Sequence, residues 1–229
     1  MKTPTDVPLR AKGQNAWKST ANLIRGARIL AAVTLNKHLN ACKDAAEVLA
    51  LFGNYDVGFS PTNLATALQR IGVLRHTFEE SNLFDLLVER ATKSVSDESE
   101  LWAYRCLASA VWGVAKTGGS APALFDAIAL EAPKKLDTFK PHALSNIVWA
   151  FATAGAEAPL LFEAVQVKAT KKLRAFDAQS LSNIVWAYAK AGVEAPALFR
   201  AVAKDAPMII QTFIPRGLSN TAWAFAKAG

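Results

Sequence analysis

Cysteine is scarce in this chain: Cys42 and Cys106 are the only two among 229 residues, and neither stands in a Cys-x-x-Cys pair or beside a histidine. That excludes a disulfide framework and a zinc-ligand pattern, and it leaves both thiols reading as small buried apolar residues in a reducing compartment. Also missing is any apolar run of the roughly 18 to 20 residues that a membrane helix needs, so no membrane span is expected. The three histidines, His38, His76 and His142, sit in unrelated contexts. No glycine-rich phosphate loop precedes a helix, and no Ser/His/acid or metal-ligand spacing occurs. These absences point to no enzyme, no metal and no cofactor. Glycine and proline are modest, at 12 and 10 residues, which argues against disorder beyond the N-terminus.

Acidic residues are nearly absent from the first 40 positions. Lys2, Arg10, Lys12, Lys18, Arg25, Arg28 and Lys37 face the single acid Asp6, so most of the formal net charge of +7 lies there. The remaining chain is close to neutral, and the overall balance says little about what it binds. A basic, acid-poor start followed by Ser19, Thr20 and an amphipathic stretch has the composition of a mitochondrial or plastid transit peptide, or of a basic disordered tail.

What is present is a period. Trp112, Trp149, Trp186 and Trp223 stand 37 residues apart, each inside a variant of Leu-Ser-Asn-Ile-Val-Trp-Ala-Tyr-Ala-Lys-Ala-Gly. Phe125, Phe162 and Phe199 keep the same spacing, as do Phe139, Phe176 and Phe213, and Ala-Pro pairs end at Pro122, Pro159 and Pro196. Each unit reads as two helices. The first ends at a glycine suited to the left-handed position, and the second opens on the Ala-Pro pair, where proline loses no hydrogen bond. A short bridge then leads on. The expected fold is all-α, an α-solenoid of 37-residue helix-turn-helix repeats.

Upstream, Pro61-Thr62-Asn63 through Gly72 matches the same frame, with Asn63 on the asparagine column and Thr66 where tryptophan would stand. Its second helix is expected around Ser81 to Thr92, with a polar loop from Val95 to Glu100. Helices at Asn22 to Asn40 and Asp44 to Phe52 read as a capping pair. The expected organisation is a basic targeting-like or disordered tail at 1–21, capping helices at 22–58, a divergent repeat at 59–98 and regular repeats at 99–229. The last of these stops mid-repeat, as in a fragment of a longer protein.

On a wheel of about 100° per residue, Leu181, Ile184, Val185 and Tyr188 cluster on one side of the third copy's first helix. Gln179, Asn183, Trp186 and Lys190 form a narrow stripe on the other. The stripe recurs as Arg105, Ser109, Trp112 and Lys116, as His142, Asn146, Trp149 and Thr153, and as Arg216, Asn220, Trp223 and Lys227. Side by side, such stripes present a row of aromatic planes, a row of amides and a row of mostly basic tips. Single-stranded nucleic acid needs this combination, since aromatic faces stack unpaired bases and Lys or Arg neutralise phosphates. The Arg105/His142/Gln179/Arg216 column varies between copies, as base-reading positions in one-base-per-repeat arrays do. Two plainer readings stand beside this one: the tryptophans pack unit against unit, and the asparagines brace neighbouring backbone. A second basic cluster, Lys134, Lys135, Lys171, Lys172 and Arg174, falls in two successive bridges.

The block Leu-Ser-Asn-Ile-Val-Trp-Ala-Phe-Ala-Thr-Ala-Gly at 144–155, its copies and the Ala-Pro-x-Leu-Phe that follows resemble the 37 to 38 residue helical repeats of organellar RNA-binding proteins. These are the octotricopeptide and heptatricopeptide repeat class, related to FAST-kinase-domain proteins and to a helical-repeat subunit of the RNA-editing substrate-binding complex. The resemblance covers residues 60 to 229, most specifically 105 to 229. It implies a mitochondrial-matrix or plastid protein that binds single-stranded RNA without catalysis. Such a protein supports RNA processing, stability, editing or ribosome assembly, in company with other organellar RNA-processing proteins. Residues 1–58 carry no distinctive motif of the group, and the nuclease-like domain with which such repeats often end has no counterpart in these residues. The alternative is a protein-binding scaffold that uses the solenoid groove.

Overall fold

The computed structural model describes residues 26–27, 29–55 and 58–229. The tail at 1–21 and the expected helix start at Asn22 lie outside the described residues. Among the described residues the secondary structure is helical throughout, with no strand. Helix α1 spans 29–41. It is followed by α2 (Ala45–Tyr55), α3 (Pro61–Val73), α4 (Asn82–Ser96), α5 (Tyr104–Thr117), α6 (Pro122–Glu131), α7 (Pro141–Ala154), α8 (Pro159–Lys172), α9 (Ala178–Ala191), α10 (Pro196–Asp205) and α11 (Pro215–Ala228).

The helices form two layers. In one, α3, α5, α7, α9 and α11 each pack against the next; in the other, α4, α6, α8 and α10 do the same. The turns between layers follow from local chemistry. Gly118, Gly155 and Gly192 end α5, α7 and α9 at φ of 79°, 67° and 68°, a conformation that side chains with a Cβ resist. Pro122, Pro159 and Pro196 then open α6, α8 and α10 at the first turn. Short 3-10 segments, such as Pro133–Thr138 and Leu173–Ala175, bridge to the next pair.

Between the layers, the recurrent phenylalanines meet aromatic residues of the following first helix edge to face. The pairs are Phe125 with Phe151, Phe162 with Tyr188 and Phe199 with Phe225, at 4.9, 5.1 and 5.1 Å between centroids. Tyr188 is fully buried, and its hydroxyl donates to the Phe162 carbonyl at 2.6 Å. Burial pushes its phenol well above the ordinary tyrosine range, so it acts only as a donor there.

Two expectations about the divergent segment are corrected. Asn63 is not on the asparagine column: it is buried in the first turn of α3, closes a capping box with Ser60 and donates through Nδ2 to the Ala32 carbonyl at 2.9 Å. Gly72 does not end the helix but lies within it, against α5. Pro61 opens α3 as Pro141 and Pro215 open α7 and α11, so Gln69, not Thr66, occupies the tryptophan position. The frame slips because α3 and α5 start 43 residues apart, six more than the period, half of the extra residues lying before α4 and half between the start of α4 and the end of the loop after it. That loop begins at Asp97, since α4 extends through Ser96, past the expected boundary at Thr92.

The α3–α5 contact is unusually close. A Cβ on Gly113 would lie 2.1 Å from the Leu68 carbonyl oxygen, and one on Gly72 would lie 2.6 Å from the Gly113 oxygen. The later copies have Ala150, Ala187 and Ala224 in the place of Gly113.

Candidate nucleic-acid interface

The stripe lies on the face of the α3–α11 layer that points away from the second layer, because the opposite side of each helix carries the core. In α9, Leu181, Ile184, Val185 and Tyr188 are buried, while Gln179 and Lys190 are exposed and Asn183 and Trp186 half-buried. The same holds for α5 and α7, where Trp112, Asn146 and Trp149 are half-buried and Arg105, His142 and Thr153 exposed.

The tryptophans form a ladder. Neighbouring rings lie 6.5 Å (Trp112–Trp149), 6.3 Å (Trp149–Trp186) and 6.4 Å (Trp186–Trp223) apart, inclined by 40°, 30° and 37°. Packing between units and presentation to solvent are therefore combined in one residue: each ring leans on the next while keeping an outer surface free. Trp223, at the end of the ladder, is 43% exposed. Small residues underneath permit this spacing. Ser182, for example, donates to the Gly217 carbonyl at 3.0 Å and ties α9 to α11.

Ten of the stripe residues line one groove of about 580 Å³: Ser109, Trp112, Lys116, His142, Asn146, Trp149, Gln179, Asn183, Arg216 and Asn220. Trp186 and Trp223 belong to the ladder outside its lining. Arg105 is exposed, with its guanidinium 5.9 Å from the Tyr104 ring. Lys190 is exposed in the last turn of α9, and Lys227 lines a separate apolar cleft with Phe199 and Phe225. The groove also takes in Gln69 and the Thr212–Ile214 bridge, so the two ends of the first layer face one another across it. Gln69 was missed through the register slip, although the helix-opening prolines carry the correct alignment. The Thr212–Ile214 bridge has no motif to mark it.

Asn146, Asn183 and Asn220 do not brace backbone: no described residue hydrogen-bonds their side chains, and all three turn their amides to the groove. Lys116 sits over two rings of the ladder, its Nζ 5.3 Å from the Trp112 centroid and 4.6 Å from that of Trp149. Burial, and then repulsion from Arg75 and Arg216, lowers its ammonium below the ordinary lysine range. The one acid in the lining, Asp177, caps α9 by accepting the Ser180 N–H at 2.7 Å.

The bridge cluster is a different matter. Lys135 donates to the Trp102 carbonyl at 3.1 Å, and Lys172, 37 residues on, donates to the Phe139 carbonyl at 3.1 Å. Trp102 itself stands on the Phe139/Phe176/Phe213 column, buried, with its indole N–H on Ser94 at 2.9 Å. Lys134 and Lys135 also pair with Glu131. Lys135 and Lys172 thus tie successive bridges together, while Lys134, Lys171 and Arg174 remain exposed.

Among the described residues, no cluster of His, Cys, Asp or Glu has metal-ligand geometry, and no helix is long and apolar enough to cross a membrane. No family model and no curated protein matches the chain.

Proposed function

We propose that this chain is an α-solenoid of 37-residue helix pairs that binds single-stranded RNA without catalysis, using the groove of its first-helix layer. One observation carries the reading: a row of uncommitted amides, two cations with no ion-pair partner among the described residues and the Trp112 and Trp149 rungs of the tryptophan ladder share one groove, and Trp186 and Trp223 continue that ladder beyond it. Aromatic faces supply about 1 to 3 kcal/mol per stacked base, free amides read base edges, and Lys116 and Arg216 neutralise phosphate. The rings lean on one another, so bases lie over the outer surface of the ladder and do not insert between its rungs. The resemblance of the repeats to those of organellar RNA-binding proteins supports the same reading. It extends the proposal to a mitochondrial or plastid role in transcript processing, stability or editing. A protein-scaffold role is less well supported, because amides, His142 and two cations interrupt the apolar surface of this groove, where a helix-binding groove is continuously apolar.

The test is binding of unstructured single-stranded RNA across a salt series, with duplex RNA as the comparison. Affinity should fall linearly on a log–log plot, with a slope of about −0.7 per phosphate contacted. Trp186→Ala, folded by circular dichroism, should bind about tenfold or more weakly. Salt-insensitive or absent binding by folded wild-type protein overturns the proposal.

A further inference from the structure

Charge pairing divides this molecule sharply. The ion pairs among the described residues, Arg90–Glu100, Lys93–Glu89, Lys134–Glu131, Lys135–Glu131 and Lys168–Asp137, all involve α4, α6, α8 or their bridges. None reaches the groove. There Lys116 stands over Trp112 and Trp149 with no carboxylate partner among the described residues. Arg216, from the start of α11, lines the same groove, and burial, with repulsion from Arg75 and Arg216 added to it, lowers the Lys116 ammonium below the ordinary lysine range. Two cations from separate helices, Lys116 of α5 and Arg216 of α11, therefore line one groove with no ion-pair partner among the described residues.

Such a pair is stabilised by an anion that both can share. We propose that Lys116 and Arg216 form a binding site for one doubly charged phosphate group, such as a strand terminus or a mononucleotide carries. The charge count favours this class over an internal phosphodiester. A terminal phosphate brings about −1.5 to −2 at neutral pH and three acceptor oxygens, against a single negative charge for a bridging phosphate. Arg216 supplies a planar fork suited to two of those oxygens, and Lys116 a point charge fixed in place by the rings below it. His142, at the start of α7, and Gln69 face the same groove, and Asp177 is the acid nearest them in its lining. In the context of the RNA reading, the site would anchor one end of a strand and set its direction along the tryptophan ladder. To that extent it rests on that reading, but phosphate capture itself does not.

The experiment has two arms. In the first, inorganic phosphate is titrated against chloride at matched ionic strength while thermal unfolding is followed. Wild type and Lys116→Arg should gain melting temperature with phosphate, and Lys116→Gln and Arg216→Gln should not. No gain in wild type, or an equal gain in both neutral variants, overturns the site. In the second arm, the same short single-stranded RNA is compared with and without a 5′ or 3′ terminal phosphate, alongside a nucleoside monophosphate. Preference of roughly tenfold for a phosphorylated strand, lost in Lys116→Gln, assigns the site to strand ends. Binding of the mononucleotide alone assigns it to a free phosphate ligand and removes the RNA reading while leaving the site standing. Salt-sensitive RNA binding that neither terminal phosphate nor the two neutral variants alter removes the site and leaves the RNA reading standing.

Discussion

The groove and the bridges both carry lysine and arginine at repeat spacing, yet they use them in opposite ways. In the bridges, Lys135 and Lys172 deliver their ammonium groups to the carbonyls of Trp102 and Phe139, and Lys134, Lys135 and Lys168 meet Glu131 or Asp137. Their charge is consumed within the frame, the two carbonyl contacts joining one unit to the next and the Glu131 pairs closing locally. In the groove, Lys116 and Arg216 have neither carbonyl nor carboxylate partner among the described residues, and Lys116 is partly desolvated over aromatic rings. A basic residue that satisfies backbone is part of the frame; one left unsatisfied beside others of its sign is poised for an external anion. Counting charges along the chain cannot separate the two.

The largest disruption of this contrast should come from removing the platform under Lys116. Trp149→Ala takes away the rung shared by Trp112, Trp186 and Lys116. It should cost about 3 kcal/mol of stability in chemical denaturation, toward the low end for tryptophan because the ring is half-buried. Lys172→Met should cost about 1.5 kcal/mol in the same assay by orphaning the Phe139 carbonyl, while the affinity of the folded protein for single-stranded RNA stays that of wild type. A loss of affinity without a loss of stability would reverse the roles assigned to the two regions.

A smaller effect separates them by pH. Lys116 has its folded ammonium lowered below the ordinary lysine value of 10.5, so its charged form is disfavoured on folding. The penalty is fully present below the folded value and is relieved as pH rises from there toward 10.5, where the unfolded chain binds the extra proton. Wild-type stability, measured relative to Lys116→Gln, should therefore rise through that alkaline window; a fall would contradict the repulsion from Arg75 and Arg216. The smallest effect belongs to Lys171→Gln, an exposed residue in the last turn of α8, which should stay within about 0.5 kcal/mol of wild type and leave the salt dependence of RNA binding unchanged.

Much of the helical frame could be read from residue spacing. The positive-φ glycines and helix-opening prolines act within a few residues of themselves, so their effect is visible in any local window. The stripe was likewise legible, because a 3.6-residue period carries Asn183, Trp186 and Lys190 to one side of α9 wherever that helix sits. Other features depended on partners far away in sequence. Asn63 and Asn146 belong to similar-looking motifs, yet one braces α1 and the other faces the groove, according to whether the residue falls in the capping turn or the middle of its helix. Gln69 was hidden by six extra residues between α3 and α5, which shift the tryptophan period although the helix-opening Pro61 keeps its register. Lys135 and Lys172 read as free because their acceptors are carbonyls 33 residues upstream.

The chain by itself determined that helices form, where they start and stop, and which side of each carries tryptophan, amide and base. These are consequences of dihedral preference and of the angle between successive side chains, and both are local. Tertiary packing decided that the tryptophans touch at about 6.4 Å, that Gly113 lets α3 approach α5, and that Arg216 of α11 comes to line the same groove as Lys116 of α5. Those outcomes depend on how closely neighbouring helices pack and how much each is rotated from the last. Small side chains at every interface set these quantities jointly, and no single window of sequence contains them.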